Sequence, residues 1–556
     1  MTNNWITYFE HSGLTGSPRY EESMDYFRQF EKRTPFAKMF TIGTSPQGRA
    51  IECLVVAKGK EFTPQKARTS GKAVVLIQNG IHAGEIEGKD ASMILLREIL
   101  VTKEKFYLLD HIILLVIPIL SVDGHERISR FNRPNQNGPD EMGWRTNSWN
   151  LNLNRDYMKA DTPEVRAFLK LFSAWLPDLF IDNHTTNGAD YQYHVTYALE
   201  RGPNIDPNIS RWGKNIFLPS VIDSVESKGF LTAPYIQFKE DSIESGLVDA
   251  PAPPRLSTGY TAVQNRLGLL VETHSLKPYE NRVRSTFAMN AAALEVVHRN
   301  HRALKVMNAA ADKASAQLKS LPLVLNVSDE PTPFLFKGFR SGTEISEITG
   351  ADVERFSDDP IEFEIPMYNS ITASRRVKIP KVYIIAMEFR SLIEIMQMHG
   401  IRIEQLQKET QFTVEQYTFE RYSFAAKPYE GRARVDVSCT ASKKTSTFPK
   451  GTFIIHTAQR TRRVITHLLE PESPDSFVAW GFFNAFFERK EYAEAYVMEP
   501  VAQNMLNASA ALRNEFEERL KEKAFRDDPA ARLDFFYQRS PFFDINERKY
   551  PIYRLR

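Results

Sequence analysis

Cysteine is almost missing from this chain. Cys53 and Cys439 are the two present in 556 residues, far apart and in no CxxC arrangement. That excludes a disulfide framework and a thiolate metal site, predicts two buried structural thiols, and leaves His, Asp and Glu to serve any metal. Long apolar runs are lacking too: none reaches the roughly 18 residues a membrane-spanning helix needs. Charge of one sign is not in excess, because 71 Lys and Arg nearly balance 69 Asp and Glu and leave a net +2. Nucleic acid or an anionic membrane would select a concentrated basic surface, so neither is expected as the main partner. No internal repeat or low-complexity tract interrupts the chain. The start, "MTNNWITYFEHSG", has no basic stretch followed by an apolar one. The location is left open: periplasmic or secreted if a leader has been trimmed, otherwise cytoplasmic.

What is present is the material of a large globular protein. Hydrophobic residues make up 42% and charged residues 25%, proportions that support a sizeable core, and the length implies two or three domains. Up to about residue 310 strand-like and helix-like segments alternate. "AIECLVVAKG", "KAVVLIQNGI", "HIILLVIPIL", "DLFIDNH" and "RLGLLVETHS" read as strands. "GKDASMILLREIL", "TPEVRAFLKLFSAWL" and the long segment from "TFAMNAAALEVVHR" to "ADKASAQL" read as helices. Continuous apolar strands interleaved with helices predict an α/β fold with a mixed, mostly parallel twisted sheet covered by helices on both faces. Beyond about residue 320 the texture changes to short, Pro-punctuated strand-like pieces. A helix, "RSLIEIMQMHG", closes on Gly400, more alternating segments follow, and a helical, aromatic tail starts near Phe477. The expected division is a catalytic domain over 1–318, a β-rich domain over 319–430, and an α+β region over 431–556 packed with it.

The polar residues of interest fall at strand ends, where ligands bind in α/β sheets. His82 and Glu85 follow the strand ending near Gly80, His184 ends "DLFIDNH", and Glu272 ends "RLGLLVE". Asn154 and Arg155 lie in a loop between these elements. A catalytic zinc ion takes three protein ligands from His and carboxylate and keeps one position open. His82, Glu85 and His184 form such a set, two from one local turn and one from a distant strand. The metal lowers the pKa of its water to about 7, which leaves Glu272 as a general base. A carboxylate closing so apolar a strand is costly unless paired or useful.

In this order the motifs resemble those of the zinc carboxypeptidases of the carboxypeptidase A type, over the first 310 or so residues. "FTIGTSPQGRAIECLVV" is similar to the family's IGxSxxGRxI strand, and "NGIHAGEIEG" to its metal-binding HxxE. "PILSVDG", "LNLNRDY", "IDNHT" and "LLVETHS" follow in the family's sequence. The resemblance implies one Zn2+ held by His82, Glu85 and His184, with Glu272 as general base and acid. It implies that Asn154 and Arg155 hold a substrate's terminal carboxylate, a task suited to a planar guanidinium. It calls for an arginine on the scissile carbonyl, Arg130 by its better-fitting spacing with Arg133 as the second candidate, and makes Tyr260 the family's mobile tyrosine. Asn152 stands where the family carries the Asp that orients the first metal histidine, so Asp182 or Asp156 is a candidate substitute. His274 and His125, beside motif residues, read as structural.

Three functions follow for comparison. The leading expectation is a zinc-dependent metallocarboxypeptidase acting on a peptide or peptide-like substrate. A zinc-dependent deacylase of N-acyl amino acids uses a related HxxE…H site. A non-catalytic binding protein on a peptidase scaffold usually loses a ligand or the base, and this chain keeps all four.

Overall fold

The computed structural model describes residues 5–186, 188–240 and 242–556. Its centre is a mixed eight-stranded sheet. The strands are β1 (Ala37–Thr44), β2 (Ala50–Val56), β3 (Ala73–Gln78), β4 (Ile112–Ile117), β5 (Leu179–Thr186), β6 (Val195–Leu199), β7 (Thr232–Pro234) and β9 (Leu267–His274). Their spatial order is β1-β2-β4-β3-β5-β9-β6-β7. β4, β3, β5 and β9 run parallel to one another, while β1, β2 and β6 join antiparallel. Each predicted strand of this region is present. β3, β4 and β5 are buried along their whole length, as expected for parallel strands covered on both faces. At about 1.5–3 kcal/mol for each fully buried Val, Leu or Ile, these strands dominate the core.

The covering helices follow local signals. Glu87–Leu100 opens with Glu87 and Asp90 in its first turn, where acidic groups meet the helix dipole favourably. Pro163–Trp175 is capped by the Thr162 hydroxyl, with Pro163 at a position that needs no N–H donor. Tyr279–Ser315 is a 37-residue helix. Gly88 carries no side chain because a Cβ there would lie 2.5 Å from Asn79 Oδ1 and 2.6 Å from Asn183 Cβ. The helix after the "HAGE" turn therefore sits tightly on β5.

Three further sheets follow. β10 (Ser320–Val327) pairs with β13 (Ile371–Lys378). β11 (Pro331–Ile345) and β12 (Asp352–Tyr368) form a long hairpin whose base adds β8 (Leu247–Val248). These strands are longer than the sequence suggested: Pro333, Pro360 and Pro366 lie within them, and a two-stranded hairpin leaves edges where a missing N–H is tolerated. The last sheet has six strands, β14 (Val382–Ile385), β15 (Glu404–Gln405), β16 (Thr410–Phe424), β17 (Val435–Phe448), β18 (Phe453–His456) and β19 (Lys549–Leu555).

The expected boundary at residue 430 falls in the connection of the β16–β17 hairpin, so residues on both sides of it build one sheet. The aromatic tail also differs from expectation. Residues 477–483 turn back on themselves, with Gly481 at φ +76°, a single 3-10 turn follows at Asn484–Phe487, and α-helix starts only at Ala495–Ala508. Phe477, Val478, Trp480 and Phe483 are all buried, so the run packs on several sides and has no helical stripe. Cys53 is buried as expected, whereas Cys439 is only half-buried. Among the described residues no helix is long and apolar enough to cross a membrane.

Candidate metal centre

β3, β5 and β9 are neighbours in the sheet, and their C-terminal ends bring the sequence-distant residues together. His82 and Glu85 lie in the turn after β3, closed by Glu85 N–H donating to His82 O at 2.9 Å. His184 and Glu272 are register partners on β5 and β9. All four are buried. His82 Nδ1, His184 Nδ1 and Glu85 Oε2 form a triangle with edges of 3.1, 3.2 and 3.0 Å. Among the described residues, this trio is the one group of His, Cys or carboxylate ligands close enough to hold an ion.

The outward nitrogens show what the inward ones are. His82 Nε2 lies 3.0 Å from Asn152 Oδ1, and His184 Nε2 lies 2.8 Å from Asp182 Oδ2. Both partners are oxygen acceptors, so each Nε2 carries a proton, and in the neutral ring each Nδ1 presents a lone pair. In that form two lone pairs and a carboxylate oxygen converge within about 3 Å, a repulsive arrangement unless a cation lies between them. The set fits a divalent metal with tetrahedral preference.

The electrostatics make His82 neutral and His184 charged among the protein groups alone. Burial pulls His82 down to about 4, with Glu85 opposing it, so the ring is a neutral ligand. Burial also works against a charged His184, but Asp182 and Glu272 outweigh it and hold the ring well above the imidazole range; without a metal its Nδ1 also carries a proton, which a bound cation would displace. Glu85 stays ionised although buried, because His82 and Arg133 oppose the cost of desolvation. Burial pushes Glu272 up to about 8, assisted by Glu85 and Asp182 and resisted by His184 and Arg145. Any bound cation would bring that value down.

Sequence reasoning left open which residue orients His82, and the structure answers with Asn152 itself. Its Oδ1 accepts from His82 Nε2 and from Asn154 N–H at 3.0 Å. Asp182 serves the other histidine. Asp156 is occupied elsewhere, accepting from Lys159 Nζ and from the Thr162 N–H and hydroxyl.

The two arginine candidates separate. Arg133 Nη2 lies 2.7 Å from Glu85 Oε1, and Gly84 makes room for it, since a Cβ there would stand 2.7 Å from Arg133 Cγ. Arg130 is exposed, its guanidinium over the solvent-facing Phe131 ring, and it takes no part in the site. Arg145, which the sequence reading did not single out, lies 3.1 Å from the same Glu85 oxygen. Its only signal was a further arginine in the loop between Arg133 and Asn152. Arg133, Gln136, Trp144, Arg145 and Ser275 line a cleft of about 350 Å³ beside the metal ligands.

Tyr260 is a correction. It is fully buried in the short helix Ser257–Val263, packs on Tyr157 and Phe172, and hydrogen-bonds His399 Nδ1 and Gln264 Nε2. A tyrosine locked in the core by two polar partners cannot swing over a cleft. A tyrosine that is coupled to the centre is Tyr235, just after β7: Glu272, then burial, then Glu85 raise its hydroxyl above the phenol range. Asn154 Oδ1 accepts from Ser257 N–H at 3.0 Å, and Arg155 Nη1 donates to Asn154 O. This loop reaches the centre through Asn152. His274 is structural, its ring on Tyr191 and its Nδ1 accepting from Leu276 N–H. His125 is buried against Lys89 and Glu126. The "SVDG" aspartate, Asp123, ties the motifs together by accepting from Ser45, Arg49 and Ser148.

Residues 23–214 match the family model of the zinc carboxypeptidases. Over these residues the chain is similar to the zinc carboxypeptidases. Carboxypeptidase 2 of Trichophyton rubrum is 22% identical over 488 residues, covering 84% of this chain and 85% of that protein. Carboxypeptidase 2 of Trichophyton equinum aligns to the same extent. These alignments are longer than the family model, so the likeness to the fungal proteins extends into the C-terminal half. Among solved structures, a metallo-carboxypeptidase from Burkholderia cenocepacia is 20% identical with a TM-score of 0.38, covering 51% of this chain and 70% of that one. The carboxypeptidase A of Helicoverpa armigera is 16% identical with a TM-score of 0.37, covering 51% and 74%. The family match over residues 23–214 and the ligand triangle together support a hydrolase of the metallopeptidase type.

Proposed function

We propose that the protein is a zinc-dependent metallocarboxypeptidase, hydrolysing an amide bond next to a substrate's C-terminal carboxylate. The observation that carries this reading is the convergence of His82 Nδ1, His184 Nδ1 and Glu85 Oε2 beside the buried Glu272. Zinc held there supplies a Lewis acid that makes water a nucleophile near neutral pH and polarises the amide carbonyl. Glu272 takes the proton from the attacking water and delivers it to the leaving amine, a transfer favoured by a carboxyl whose buried setting raises its basicity. Arg133 and Arg145 face the cleft and stabilise the oxyanion as it develops. Asn154 and Arg155 receive the terminal carboxylate, and Asn152 and Asp182 keep the two imidazoles in the ligating tautomer.

The test is a substrate panel with metal analysis. Purified protein should contain one zinc per chain and release the C-terminal residue from N-acyl dipeptides, with amidated counterparts far poorer. A chelator should abolish turnover and zinc should restore it. Hydrolysis of N-acyl amino acids in preference to peptides would instead make the protein a deacylase, and absence of zinc would end both readings.

The arginines give a sharper prediction. Arg145→Ala should lower kcat/KM by about 10²-fold, the scale of losing one oxyanion donor, and Arg130→Ala should stay within about twofold of the parent because its side chain points to solvent. A large loss in Arg130→Ala with a normal Arg145→Ala would reverse the assignment. Arg133→Ala should cost more than Arg145→Ala, since it also strips the shorter ion pair from buried Glu85.

A further inference from the structure

We propose that a turn from the C-terminal half, Tyr429–Arg432, is a working part of the active site that positions the substrate-binding loop and, through it, a metal ligand. This inference rests on the zinc peptidase reading of the same site. The turn lies in the connection between β16 and β17 and closes on itself by paired Tyr429–Arg432 backbone hydrogen bonds. It lands on residues 152–161, some 278 positions earlier in the chain. Glu430 accepts the Asn152 backbone N–H at 2.8 Å, Tyr429 Oη accepts from Arg155 Nε at 3.1 Å, and Arg432 pairs with Asp161 through Nε and Nη2.

These contacts form a relay. Asn152 is the residue whose Oδ1 holds the proton of His82 Nε2, so Glu430 fixes the backbone from which that amide reaches. Tyr429 fixes the guanidinium assigned to the substrate carboxylate. The turn itself is held from behind: the Tyr429 ring stacks on buried Trp480 at 6.0 Å, and Arg434 lies over the same indole at 4.6 Å.

The backbone shows that the side chain of Glu430 matters. Its φ is +51°, and Gly431 follows at +73°. Two successive left-handed residues suit a tight turn, and glycine or asparagine occupies such a position with less strain than glutamate. A non-glycine residue held there points to a use for its side chain, and the carboxylate on Asn152 N–H is that use. The C-terminal half is therefore bound into catalysis as a brace. Neither half of the site is complete without it.

Tyr429 and Glu430 are positioning residues, so the test reads more than turnover, on the full-length protein. In Glu430→Ala, zinc affinity measured by chelator competition should fall about tenfold, at the low end for partners beyond the ligands themselves. Glu430→Gln, which keeps an acceptor oxygen, should recover most of it. Tyr429→Phe keeps the stack on Trp480 and loses the hydroxyl; KM for an N-acyl dipeptide with a free carboxylate should rise about tenfold, the equivalent of one hydrogen bond, with most of the loss in KM and little in kcat. If parental zinc affinity persists in Glu430→Ala and parental KM in Tyr429→Phe, the brace is wrong while the peptidase reading stands. Should Glu430→Ala fail to fold, Glu430→Gln and Tyr429→Phe still decide: a Gln variant no better than an unbraced site, or a Tyr429→Phe loss confined to kcat, overturns it. A parent that binds no zinc removes the reading on which the inference stands, and the inference with it.

Discussion

Glu272→Gln should lower kcat/KM by roughly 10³-fold, within the range for removing a general base, while the purified variant keeps one zinc per chain. The amide preserves the size of the side chain at the end of β9 and removes only its ability to take a proton. Burial, Glu85 and Asp182 raise the carboxyl to about 8 among protein groups alone, and a cation between His82, His184 and Glu85 opposes them. The ionised form is the base, so activity is lost as pH falls through the pKa of Glu272. Because the cation lowers that pKa, the acid limb of the parent's kcat/KM profile should lie below pH 8. The limb should be absent from whatever activity the variant retains. Parental turnover in Glu272→Gln would remove it from the mechanism, and loss of zinc along with activity would make its role structural.

His184→Ala should lose zinc outright under dialysis. Structural zinc sites bind with about 10–16 kcal/mol, and deleting one of three protein ligands should weaken affinity by roughly 10²–10³-fold or more. The variant also leaves Asp182 buried without its imidazole partner and Glu85 with His82 alone, so its thermal midpoint should fall. Adding a chelator should lower the parent's midpoint and leave the variant's unchanged, because only the parent gains stability from bound metal. Asp182→Asn is the graded form: the ligands remain, the imidazole loses its charged partner, and affinity should drop about 10–100-fold. Stoichiometric zinc held at parental affinity by His184→Ala would rule out the triangle as the metal site.

How far this was legible follows from the range over which each feature is encoded. β3, β4, β5 and β9 were readable because a strand buried on both faces is a short apolar run bounded by turn residues. His82, Glu85, His184 and Glu272 were readable because they sit where such runs stop. The long β11–β12 hairpin was mistaken for short pieces because proline is a local signal against strands, and only the sheet shows that these prolines lie in a two-stranded ribbon. The turns at residues 477–483 were mistaken for helix because aromatic richness reports burial and carries no direction.

The sequence by itself determined the ligand types and the order of the strands that carry them, since both follow from residues close together in the chain. Tertiary structure decided everything that depends on two distant segments meeting. It withdrew Arg130 to solvent and Tyr260 to the core, and it brought in Arg145 and Tyr235. It gave Asn152 the task of holding His82, which an amide oxygen performs as an acceptor without the charge of an aspartate. It also set Glu430 against Asn152, a contact across 278 residues with no periodic or compositional trace. A hydrogen bond has to be satisfied in the folded state, but the partner that satisfies it can come from anywhere in the chain.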